Sequence, residues 1–100
     1  MGFLDEMKKA KNLHKKAEWK QGLSNTVVEL NDDHMKLIAP GSTDIIFYKD
    51  IMNVEQNLFT VNIKTNVKTF ALVSKKKRGG TDKAAELQQQ LIEKISENKQ

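Results

Sequence analysis

The residues able to do chemistry in this chain are few. It has two histidines, His14 and His34, and no cysteine, so thiolate nucleophiles, thiolate metal ligands and disulfides are all ruled out. The histidines share no HExxH-type spacing that would bring both onto one helix face toward a zinc ion. His34 follows Asp33 in a polar stretch and reads as a surface residue. Ser24, Ser42, Ser74 and Ser96 sit in no nucleophile-elbow context. Gly79 and Gly80 follow a run of lysines, whereas a phosphate-cradling loop places its glycines before the lysine. The pair Asp32-Asp33 reads as a solvated hairpin tip. This inventory describes a non-enzyme with no cofactor, no metal and no small-molecule substrate.

One charged cluster remains. Lys75, Lys76, Lys77 and Arg78 stand in a row, and such a row can engage the phosphates of nucleic acid or anionic lipid. It can equally be a solvated connection that keeps a strand end from pairing with a neighbour. The chain carries a net charge of +4, unevenly placed. Residues 1–20 and 74–100 are each +3, residues 21–43 are −2, and residues 44–73 are neutral. Arg78 is the sole arginine, which argues against bidentate recognition of guanine or phosphate.

The elements that must carry these residues follow from periodicity. Residues 3–20 hold no proline or glycine and repeat Phe3, Met7, Ala10, Leu13, His14 and Ala17 at helical spacing, which predicts an N-terminal basic helix. Phe3, Leu4, Met7 and Trp19 are its candidate contact residues, toward its own domain, a second copy or an anionic membrane. The boundary is placed at Gly22, giving an N-terminal helix over 1–21 and a domain over 22–100. From Ser24 the period changes to two. Thr26, Val28 and Leu30, then Met35, Leu37 and Ala39, predict a hairpin turning at Asn31-Asp32-Asp33 and ending at Pro40-Gly41-Ser42. The stretch 44–73 supplies further short strands, with turns read at Lys49-Asp50, Gln56-Asn57 and Thr65-Asn66. A last helix is predicted over 82–98, capped by Thr81, with Ala84, Leu87, Leu91, Ile92 and Ile95 as its apolar stripe.

Length and composition bound the rest. One hundred residues, 38 % of them hydrophobic and 30 % charged, make one domain with a modest core. No apolar run approaches the ~20 residues of a membrane span. Residues 1–6 lack the apolar core of a secretory signal, and Glu6 stands where a myristoylation motif places Ser or Thr. The expected location is the cytoplasm, and the lysine- and asparagine-rich composition fits a bacterial or phage source.

The phrase Ile46-Phe47-Tyr48-Lys49-Asp50-Ile51-Met52-Asn53-Val54-Glu55 resembles the I-x-Y-x-D-I-x-x-V-E strand and bend of bacterial PH-like (pleckstrin-homology-like, GRAM-like) domains. Lys68-Thr69-Phe70-Ala71-Leu72 and the helix from Ala84 to Ile95 are similar to that family's penultimate strand and closing helix. The resemblance covers residues 22–98. It implies a mainly β, α+β fold: a small antiparallel barrel or sandwich of about six to seven strands, capped by a C-terminal amphipathic helix. It also implies a binding or adaptor role toward a protein or a lipid head group, with self-assembly into a homo-oligomer as one form. The chain departs from lipid-binding relatives at its first hairpin tip, which is acidic where theirs is basic. A five-stranded Sm-like barrel, an RNA-binding ring former, is the competing reading, opposed by the closing helix. Function thus stands between a protein-binding module and a peripheral binder of polyanions through residues 75–78 and the N-terminal helix.

Overall fold

The computed structural model describes residues 17–76 and 78–99. Within them the chain runs through seven strands and one α-helix: β1 (Trp19–Gln21), β2 (Ser24–Leu30), β3 (His34–Ala39), β4 (Ser42–Phe47), a 3-10 turn (Tyr48–Asp50), β5 (Ile51–Asn57), β6 (Thr60–Thr65), β7 (Thr69–Ser74) and α1 (Gly80–Asn98). All strand pairs are antiparallel, in the order β4-β3-β2-β1-β7-β6-β5. The result is mainly β, a curled half-barrel sheet with one helix laid on its β5–β7 side.

Period-two burial builds the inner face. Met35 and Leu37 on β3, Ile46 on β4, Val61 and Ile63 on β6, and Phe70 and Leu72 on β7 are buried, and their neighbours in sequence face outward. In β5 the residues sent inward are Ile51 and Val54, three apart, which strict alternation forbids. A register shift between Ile51 and Asn53 supplies the extra residue, leaving Met52 outside. Helix α1 covers this face with Ala84, Leu87 and Leu91, and Ile95 packs at its border. Each leucine so buried contributes about 1.5–3 kcal/mol. Ile92, expected in the stripe, is nearly half exposed instead, because it lies one residue past Leu91 and about 100° round the helix.

Several sequence expectations are corrected. The predicted first helix, read through Lys20, does not include Trp19–Gln21, which form β1 between β2 and β7. Partners on both sides outweigh local helix propensity, and Trp19 is buried in the core of its own domain. Phe3, Leu4, Met7 and the rest of that expected helix lie outside the described residues. Pro40-Gly41 ends the β2–β3 hairpin as expected, and because Ala39 faces Ser42 across it, it is also the turn into β4. Gly41 at φ +79° after a proline matches a type II turn. The turn read at Gln56-Asn57 lies two residues on, at Leu58-Phe59, since Asn57 faces Thr60. The helix cap is Gly79, at φ +74°, and not Thr81. Seven strands and a closing helix also differ from the five strands of the Sm-like reading.

Candidate interaction site

At one end of the sheet, β1, β7 and β6 bring a row of residues side by side. Lys20 pairs with Val73, and Val73 with Thr60. The next step along the strands reaches the β5–β6 turn, where Ser74 N–H donates to Phe59 O at 2.8 Å. The chain leaving β7 stays attached: Lys75 N–H donates to Glu18 O at 2.9 Å, and Lys76 N–H to Ser74 Oγ at 3.3 Å. Two of the four clustered bases are therefore held by their backbone to the sheet, not carried on a loose connection. Arg78 follows, exposed, just before the helix cap, and Lys77 lies outside the described residues.

These residues frame an open groove of about 690 Å³ lined by Lys20, Gly22, Phe59, Val73, Ser74, Lys75 and Lys76. Its floor is apolar, from Phe59 and Val73, each 42 % exposed, and its rim carries three lysines and no carboxylate. Among the described residues, Lys64, Lys83 and Lys94 are engaged by Glu55, Glu18 and Glu97; Lys20, Lys75, Lys76 and Arg78 make no ion pair, and neither do Lys36, Lys49, Lys68 and Lys99 elsewhere on the surface. A rim of free ammonium groups over an apolar floor suits a ligand that is both acidic and apolar.

Two backbone features shape the groove. Gly80, the first residue of α1, lies against Phe59, and a β-carbon there would stand 2.8 Å from the ring. Leu58 holds φ +53°, a left-handed conformation that costs a residue with a side chain roughly 1–2 kcal/mol. That turn leaves Leu58 66 % exposed, one residue before Phe59 of the groove floor. Leu23, at the β1–β2 turn next to Gly22, is 96 % exposed.

The acidic tip is a separate, internally satisfied structure. His34 Nδ1 stands 2.7 Å from Asp33 Oδ1, and that hydrogen bond holds the Asp33 carboxyl below its ordinary range. Asn98 Nδ2 donates to Asp32 O at 3.0 Å and so ties the end of α1 to the tip. Among the described residues no three His, Cys, Asp or Glu side chains gather where a metal ion would sit. No helix among them is long and apolar enough to cross a membrane.

No protein-family model, curated protein or solved structure matches the chain.

Sequence reasoning singled out Lys75, Lys76 and Arg78 but missed Lys20, Phe59 and Val73 as their neighbours. Leu58-Phe59 turn the chain because Asn57 faces Thr60 across the hairpin. An apolar pair is a poor turn by composition, which is why it read as strand.

Proposed function

We propose that this chain is a non-catalytic, PH-like recognition module of the cytoplasm that binds an acidic, apolar-anchored segment of a partner protein in the groove. One observation carries the reading: three lysines without a carboxylate partner, Lys20, Lys75 and Lys76, line the same depression as Phe59 and Val73. Such a rim steers and orients an acidic partner, while burial of the anchor supplies most of the affinity. The PH-like part is supported by seven antiparallel strands closed by a C-terminal helix, with Ile46–Glu55 running from β4 through the bend into β5.

Calorimetry on the full chain tests it, with a glutamate-rich peptide carrying one leucine as probe. Each exposed lysine–carboxylate contact is worth about 0.2–1 kcal/mol, so Lys75→Ala with Lys76→Ala weakens binding roughly 2- to 30-fold. Equal affinity for wild type and double variant defeats the reading.

A second reading has its own observation. Leu58 and Leu23 protrude from turns whose neighbours in sequence, Phe59 and Gly22, line the groove, as apolar anchors of a peripheral membrane binder do. Vesicles containing phosphatidylserine decide between the two: binding to them, with none to the peptide, favours the membrane.

A further inference from the structure

The two edges of the sheet are treated differently. The β5 edge is covered by α1: Gln88 Nε2 donates to Val54 O at 3.1 Å, Gln56 Nε2 reaches Thr81 O at 3.2 Å, and the bulge at Met52 breaks the ladder. Strand β4, at the other end, has β3 on one side and no strand on the other among the described residues. Ser42–Phe47 holds no lysine, proline or bulge, and its one charge, Asp44, alternates onto the inner face with Ile46.

The hydrogen-bond parity of β4 is fixed at both ends. Ala39 and Ser42 close a two-residue turn, and Tyr48 N–H donates to Asp33 O at 3.1 Å. Alternation between those bonded pairs turns the backbone N–H and C=O of Thr43, Ile45 and Phe47 away from β3. Their side chains share the outer face, where Ile45 is 55 % and Phe47 42 % exposed. The edge borders a cleft of about 290 Å³ whose opposite wall is the turn Thr65–Lys68, with Val67 86 % exposed.

We infer that a second copy of this chain adds its own β4 to this edge, antiparallel about a two-fold axis at Ile45. The occupant follows from self-complementarity. With Ile45 on the axis, Thr43 faces Phe47 of the partner subunit, so all three outward-bonding positions find an outward-bonding mate. The side chains then form one Ile–Ile and two Thr–Phe cross-strand pairs, combinations that stabilise sheets. Charge opposes it only weakly: Asp44 and its image stand diagonally across the seam, about 7–8 Å apart, close to the screening length of physiological salt. The chain is +4, but its excess lies in residues 1–20 and 74–100, while β4 carries only Asp44. Lys36, opposite Ile45 on β3, would stand three strand spacings, about 14 Å, from its own image, beyond the ~8 Å screening length of physiological salt. A single strand pair is small for an interface, so the dimer is reversible and forms between about 10 μM and about 1 mM. This inference stands on the sheet edge and is independent of the groove.

Sedimentation velocity on the full chain tests it. The expected result is a species of twice the 11.4 kDa chain mass that grows across that concentration range. Ile45→Lys abolishes it, and so does Thr43→Pro, which deletes an outward N–H without touching the bonds to β3. Lys75→Ala with Lys76→Ala, a change in the groove, leaves it intact. Amide exchange at Ile45 and Phe47 of the wild-type chain slows as concentration rises, a readout that needs no variant. A single 11.4 kDa species throughout, a dimer that survives both edge variants, or exchange independent of concentration would each overturn the inference.

Discussion

Gly80 and Phe59 are packed so closely that a β-carbon on the glycine would come within 2.8 Å of the ring. One residue opens a helix and the other closes a hairpin, so their contact couples the start of α1 to the floor of the groove. The half-exposed ring can swing outward, and alanine is the better helix former by up to about 1 kcal/mol. Gly80→Ala therefore leaves stability within about 1 kcal/mol of wild type while displacing Phe59. Thermal melts with and without the acidic peptide check this: an almost unchanged Tm of the free protein with several-fold weaker binding is expected.

Tyr48 is fully buried, and its hydroxyl donates to Asn31 O at 2.7 Å. Tyr48→Phe leaves that carbonyl short of a donor and costs about 1–3 kcal/mol, measured by urea unfolding. Burial raises the phenol's pKa above its ordinary 10.0. The folded state then resists ionisation more than the unfolded state does, so stability is intact below pH 10.0 and falls as pH rises beyond it. In Tyr48→Phe that part of the alkaline loss disappears.

Helix α1 offers an internal comparison. Leu91 is fully buried and Ile92, its neighbour, is 46 % exposed. Leu91→Ala should cost about 2–5 kcal/mol, and Ile92→Ala much less, within about 1 kcal/mol of wild type. Denaturant midpoints at constant m-value would check the ratio.

Leu58 stores backbone strain at the tip of the β5–β6 hairpin. Glycine relieves the left-handed cost of roughly 1–2 kcal/mol but loses about 0.5–1 kcal/mol in chain entropy. Leu58→Gly should thus raise stability slightly, by up to about 1.5 kcal/mol, and remove the protruding side chain. If vesicle binding were unaffected by this change, Leu58 would not be a membrane anchor.

The fold was legible where burial follows one period. Met35, Leu37 and Ala39, or Leu87 and Leu91, declare their faces because β3 and α1 are regular throughout. Trp19–Gln21 were hidden because three residues show no period, and their strand exists only through partners distant in sequence. Turn positions failed for a related reason. Leu58-Phe59 and Val67 are apolar residues in turns, placed there by the pairing of β5, β6 and β7 against local preference. In the site, the lysine run was visible as composition, but its juxtaposition with Lys20 and Phe59 needed the strand order. The bulge at Met52 had a faint signal in the three-residue spacing of Ile51 and Val54.

Chemical-shift mapping of the isotope-labelled full chain during titration with the glutamate-rich, leucine-bearing peptide bears most directly on recognition through the groove. The expected result is saturable shifts at Lys20, Phe59, Val73, Lys75 and Lys76 that weaken with added salt, and none with a peptide in which glutamine replaces glutamate. Shifts confined to other faces of the sheet, or a response to both peptides alike, would contradict it.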